Sequence, residues 1–148
     1  MQHTHKTAGE RSSKLSGINV LVVEDYPDTL YLFQLILQRY GAHVTPAKDG
    51  FEALRIMQSE PIDVLISDIG LPEMNGYELL RRIRVDERLR GKSDREIRHV
   101  PAAAVSAFSQ PADLIRSKAA GFQVHLPKPV DIEELVDVVA TLAGVKSH

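Results

Sequence analysis

The stretch VLISDIGLPEMNGYELLRRIR, residues 64–84, decides how the chain folds. Val64-Leu65-Ile66-Ser67 is an apolar run without polar alternation, the pattern of a strand covered on both faces. It stops at an acid, Asp68, and passes into Leu71-Pro72-Glu73-Met74-Asn75-Gly76, a loop rich in turn residues. Beyond the loop a helix is predicted over Tyr77–Val85. Strand, acid, loop and helix make one half of a parallel crossover unit.

The unit recurs in both directions. Upstream, Val20–Val23 is a second buried run that ends in Glu24-Asp25. Pro27 or Asp28 opens a helix carrying Leu30, Phe33 and Leu37, with Asp28 read as a helix cap rather than a ligand, and Gly41 is placed to close it. A weaker strand at about 43–46 precedes a helix that Asp49 can cap. Downstream come a strand over Ala102–Ser106, a helix over 111–120 closed by Gly121, and a strand over Val124–Leu126. The last helix carries Ile132, Leu135, Val136, Val139 and Leu142, an i, i+3, i+4, i+7 stripe. Five alternations predict an α/β fold: a doubly wound five-stranded parallel sheet with helices on both faces. Right-handed crossovers bring the carboxyl ends of all strands to one edge, where such sheets bind ligands.

That edge gathers the chemistry. Glu24-Asp25 follow strand one, Asp68 ends strand three, Ser106 ends strand four and Lys128 lies just past strand five. Two unit charges 4 Å apart repel by roughly 4 kcal/mol at an effective dielectric near 20, so three converging acids need an offset. Hard oxygen donors suit Mg²⁺ or Mn²⁺. A cation, an ammonium, a hydroxyl and a carboxylate nucleophile together suit phosphoryl transfer to Asp68.

The motifs VLVVEDYPD (20–28), VLISDIGLPEMNGYELLRRIR (64–84), AAAVSAF (102–108) and GFQVHLPKPVDIEEL (121–135) resemble those of response-regulator receiver domains of two-component signalling. The resemblance covers about residues 17–143, and it implies the flavodoxin-like strand order 2-1-3-4-5. It implies Asp68 as phosphoacceptor, with Mg²⁺ (or Mn²⁺) held by Asp25, Asp68, the Gly70 carbonyl and, through water, Glu24. Ser106 and Lys128 would bind the phosphoryl group, and the Lys128–Pro129 bond would be cis. The donor would be a histidine kinase or phosphotransfer protein, and a downstream protein would dock on the face of the last two helices. The chain would act as a signalling switch that catalyses only its own phosphorylation and dephosphorylation.

The pattern departs from the family in three places. His125 stands three residues before Lys128, where the family's switch carries Tyr or Phe, and Phe108 is a substitute candidate. Gly70 offers no side chain to orient a water. The connection over about 86–100, with GKSDREIRH, reads as an exposed insertion. Eight Lys/Arg against four acids over 81–99 give a basic excess, but no interleaved aromatics or recognition helix mark a nucleic-acid site.

The rest of the sequence excludes more than it names. The chain has 148 residues, no cysteine, 18 Lys+Arg against 20 Asp+Glu, and no apolar run of membrane-spanning length. Thiolate metal sites, disulfides and cysteine catalysis are therefore out, and a cytoplasmic location is expected. Residues 1–15 read as a flexible tail or linker, 16–144 as the receiver and 145–148 as a short tail. With no effector domain after Leu142, the chain would be a docking regulator or the receiver of a hybrid histidine kinase, which 1–15 and GFQVHLPKPVDIEELVDVV resemble. Alternatives are a phosphorylation-independent docking receiver and an aspartate-nucleophile phosphatase. The phosphatase would want an acid where Gly70 stands. A flavin carrier is disfavoured by the acids after strand one, and no Gly-x4-Gly-Lys-Ser/Thr marks a nucleotide loop.

Overall fold

Each buried run forms a strand in the computed structural model, which describes residues 13–91 and 98–145. The strands are β1 (Asn19–Val23), β2 (His43–Ala47), β3 (Val64–Asp68), β4 (Ala102–Ser106) and β5 (Val124–Pro127). The helices are α1 (Pro27–Arg39), α2 (Gly50–Ser59), α3 (Gly76–Arg90), α4 (Pro111–Ala120) and α5 (Ile132–Leu142). Every pairing is parallel and the order is β2-β1-β3-β4-β5, the flavodoxin-like arrangement. The five residues of β3 and the five of β4 are all buried, as unalternating apolar runs require.

Successive residues of a strand face opposite sides, so one sheet feeds two cores. Val20 and Val22 join Phe33, Leu37, Leu135 and Val139 beneath α1 and α5. Leu21 and Val23 join Leu79, Leu80, Ile83 and Phe122 beneath α2, α3 and α4. Asp49 caps α2 by accepting from Glu52 N–H at 2.8 Å, and Asn75 caps α3 by accepting from Glu78 N–H at 2.9 Å. Gly41 and Gly121, at φ 99° and 111°, take the left-handed turn that ends α1 and α4.

Four expectations need correcting. The start of α1 is capped by no side chain: Tyr26 is the flanking residue, Pro27 the first helical one, and Asp28 sits inside the first turn, where its charge favours the helix N-terminus. Helix α3 runs past Val85 to Arg90. No breaker intervenes before Gly91, and Arg84–Glu87 and Asp86–Arg90 ion pairs, both at 3.0 Å, staple the added turn. The insertion therefore begins at Gly91, and its residues 92–97 lie outside the described residues. Strand β5 extends one residue further, to Pro127.

The fourth concerns the linker, whose expected boundary at residue 15 falls inside the packed chain. Leu15 is fully buried and its N–H donates to the Tyr40 carbonyl at 2.7 Å, while Lys14 pairs with Asp137 of α5 at 2.6 Å. A polar neighbourhood hid one apolar anchor. Residues 1–12, with His3 and His5, and residues 146–148 lie outside the described residues.

The return of the insertion into β4 is held by a half-buried carboxylate. Glu87 accepts from Arg84 at 3.0 Å and from Val100 N–H at 2.8 Å, with His99 Nδ1 at 3.3 Å from the same carboxylate. Arg98 adds a contact to Asp63 at 3.3 Å.

Candidate functional site

Strands β1 and β3 are neighbours in register, with Val23 opposite Ser67, so the residues that follow emerge at the same height. Glu24 and Asp68 are therefore side by side by topology, although 44 residues separate them in sequence. Both are buried, whereas Asp25 is exposed. One carboxylate oxygen from each of Glu24, Asp25 and Asp68 lies within 4.8 Å of the others.

Among the described residues, one cation meets two of these three acids. Lys128 Nζ donates to Glu24 Oε1 at 3.0 Å and lies 3.4 Å from Asp68 Oδ1. The other Glu24 oxygen accepts from Tyr26 N–H at 3.0 Å. Burial pushes the Glu24 carboxyl above its ordinary range; Tyr26 N–H and Lys128 pull it back, and the Asp68 charge adds to the rise. For Lys128, burial disfavours the ammonium, but the Glu24 bond and the charges of Asp68 and Glu24 outweigh it and raise its affinity for a proton. Both groups hold protons more tightly than they would in water. Burial is the main cause of the first shift, and the neighbouring acids are the cause of the second. The three oxygen donors fit a hard divalent cation such as Mg²⁺, which prefers a few carboxylates and keeps waters.

The loop after β3 fixes Asp68 from behind. Ile69 N–H donates to the Val105 carbonyl at 3.0 Å and Gly76 N–H to the Ile69 carbonyl at 2.9 Å. A tight turn, with Glu73 at φ 67°, brings the start of α3 against the end of β3. The approach is so close that a Cβ on Gly76 would stand 2.5 Å from the Asp68 carbonyl oxygen. Gly76 was not singled out as a site residue from the sequence; the Asn75-Gly76 pair at a helix start was the available signal. Gly70 lies exposed two residues past Asp68, and a Cβ there would meet nothing within 4 Å.

The remaining predicted residues lie one and two strands further along the edge. Ser106 is buried, its hydroxyl oxygen accepting from Phe108 N–H at 2.9 Å and its carbonyl from Lys128 N–H at 2.9 Å. The second bond holds the base of the Lys128 side chain beside β4, and the Lys128–Pro129 bond is cis. His125 Nε2 lies 3.2 Å from the Phe108 carbonyl and 3.3 Å from Ser109 Oγ, and its buried Nδ1 has no partner. Donation from Nε2–H to the carbonyl fits this geometry. Phe108 itself is 70% exposed. Glu24, Asp25, Asp68 and Lys128 thus converge, Ser106 flanks them with its hydroxyl engaged by its own loop, and His125 and Phe108 form a separate contact behind that loop.

The model of the response regulator receiver domain matches residues 20–140. The chain belongs to the response regulator receiver family. A 14.6 kDa protein encoded 3′ of sodA1 in Leptolyngbya boryana is 38% identical over 84% of this chain and 89% of its own. The polar-differentiation response regulator DivK of Brucella ovis is 28% identical over 85% of this chain and 96% of its own. The receiver domain of sensor histidine kinase PA1611 from Pseudomonas aeruginosa superposes with a TM-score of 0.74 at 29% identity, covering 87% of this chain and 99% of that one. That receiver carries a magnesium ion coordinated in its active-site cleft. The receiver described by this chain is a two-component signalling module, and among its described residues no helix is long and apolar enough to cross a membrane.

Proposed function

We propose that this receiver accepts a phosphoryl group on Asp68 and works as a phosphorylation-driven switch. The observation that carries the reading is the convergence of three carboxylates at the sheet edge, one of them ending β3, with Lys128 against two of them. In the transfer, an Asp68 oxygen bonds to phosphorus as the phosphorus–nitrogen bond of a phosphohistidine breaks, and the freed imidazole takes up a proton. The donor is a histidine kinase or phosphotransfer protein.

Glu24, Asp25 and Asp68, with the Gly70 carbonyl, are the groups that would hold Mg²⁺, whose chemistry is to offset charge on the phosphoryl oxygens. The donor set fits, and the magnesium in the cleft of the Pseudomonas receiver supports the same assignment. Lys128 places a fixed ammonium 3.4 Å from the Asp68 carboxylate, where it pairs with the added phosphoryl charge. The Ser106 hydroxyl leaves Phe108 N–H to donate to the phosphoryl group, and the loop after β4 follows it. His125 and Phe108 report that movement, since the carbonyl His125 binds belongs to the residue whose N–H Ser106 releases. A downstream protein reads the change on the α4–β5–α5 side, where Leu114 and Ile115 are exposed. The state of the switch is the output, and no substrate is turned over.

Incubation with acetyl phosphate and Mg²⁺ tests the reading by intact-mass spectrometry. One base-labile phosphoryl adduct is expected, absent without metal and abolished by Asp68→Asn. An adduct that survives Asp68→Asn, or none from either acetyl phosphate or a phosphorylated histidine donor, overturns it.

A further inference from the structure

The extra turn of α3 has no explanation in the core. The buried side chains of that helix end at Ile83, and the turns beyond it are held by ion pairs and by Glu87. Yet this segment carries Leu89, 79% exposed and more open to solvent than any other large apolar residue among those described. Val85, one turn earlier, is 47% exposed, and Leu54 of α2 completes an apolar strip along one groove. A single exposed leucine is ordinary, but a contiguous strip in a groove between two helices marks a contact surface.

The charges around the strip are uneven. Glu78 and Asp86 line the groove but are already paired, with Arg82 at 2.7 Å and Arg90 at 3.0 Å. Arg81 also lines it and has no acid partner among the described residues, nor has Arg88 two turns further along the helix. The groove continues into a cavity of about 260 Å³ floored by Met57, Ile62, Ile83 and Val100, with room for a side chain.

We propose that the α2–α3 groove is a docking site for an amphipathic helix of a partner protein whose apolar stripe is flanked by acids. A helix in a groove anchors through apolar residues at i, i+3, i+4 and i+7, and Leu54, Val85 and Leu89 offer a strip of that kind. Acids on the guest's flank answer Arg81 and Arg88, giving register and faster encounter. Residues 1–12, MQHTHKTAGERS, bring Lys6 and Arg11 and no apolar row, which is not the sequence that the strip and its arginines call for. Nucleic acid is a poor guest for a strip without a stacking ring and with acids on its rim.

This site is independent of the Asp68 chemistry, and the two fail separately. The probe is a synthetic 18-residue helix with leucine at every third or fourth position and glutamate on its flanks, alongside a twin with lysine in place of glutamate. Titrated into the ¹⁵N-labelled chain, the glutamate peptide is expected to shift amides of 54–58 and 81–89. The lysine twin should bind at least tenfold more weakly. Leu89→Ser should weaken the glutamate peptide at least tenfold, and Arg81→Glu with Arg88→Glu should invert the preference between the twins. Leu89 is exposed, so its substitution leaves the fold intact, and unchanged phosphorylation of Leu89→Ser would confirm that. Absence of binding, equal binding of the twins, amide shifts elsewhere, or Leu89-dependent self-association in sedimentation would each overturn the proposal.

Discussion

Two carboxylates of this receiver, Glu87 half-buried and Glu24 buried, live in opposite circumstances. Glu87, near the amino edge of the sheet, is well supplied with donors: a guanidinium, a backbone N–H and an imidazole all reach it. Glu24, at the carboxyl edge, shares one ammonium with Asp68, stands beside a third acid, Asp25, and has its pKa raised above the ordinary range. The first arrangement is complete and holds a loop in place. The second leaves negative charge that a bound divalent cation would offset. A surplus of charge of one sign, more than burial or pairing alone, is what separates a binding site from a brace.

The comparison breaks if the two carboxylates respond alike to substitution. Glu87→Ala should cost about 2 kcal/mol in urea unfolding, because it strands Val100 N–H and leaves Arg84 unpaired. That loss should be the same with and without Mg²⁺. Asp68→Asn should instead raise stability in metal-free buffer by about 1 kcal/mol, well below the roughly 4 kcal/mol of an unscreened pair at a dielectric near 20, since Lys128 already offsets part of the repulsion. Adding Mg²⁺ should raise the melting temperature of the native chain more than that of Asp68→Asn, by linkage to metal binding. A destabilised Asp68→Asn in metal-free buffer would mean that the acids are not in excess.

A smaller effect sharpens the same contrast through pH. The Glu24 pKa is raised above its ordinary 4.5, so the folded chain binds the proton more tightly than the unfolded one, and native stability falls as pH rises from 4.5 through the folded value. The stability gain of Glu24→Gln over the native chain in metal-free buffer should therefore grow with pH across that window and then level off. A gain that shrinks with rising pH would reverse the sign assigned to the site. The smallest effect is the surface reference: Arg82→Ala removes an exposed pair with Glu78 and should change stability by only about 0.3–0.5 kcal/mol.

The fold was legible because its signals are local and redundant. The unalternating runs at 20–23, 64–67 and 102–106 each demand cover on both faces, and Asp49, Asn75, Gly41 and Gly121 punctuate the helices between them. The acid edge was legible for a topological reason: parallel crossovers deliver every strand end to one place, so residues far apart in sequence need no further signal to meet. Other features depend on contacts that no local pattern encodes. Leu15 is one apolar residue in a polar stretch, and its burial is set by the Tyr40 carbonyl and α5. The end of α3 depends on ion pairs whose worth is a few tenths of a kcal/mol each, too little to outweigh a reading based on apolar periodicity. The resemblance to the family named His125 as a departure, but only its position beneath the Phe108 carbonyl gives that departure a physical content.

One atom's absence carries a lesson for reading other sequences. Because Gly76 rests its bare Cα against the carbonyl of Asp68, the residue we propose as phosphoacceptor, any side chain at that position would push the strand end and its acid out of place. A descendant of this chain could keep all three carboxylates, the lysine and the serine and still fall silent through a change at residue 76. An inventory of reactive groups would pass it as functional. The glycine is where such a retired copy would first be recognised.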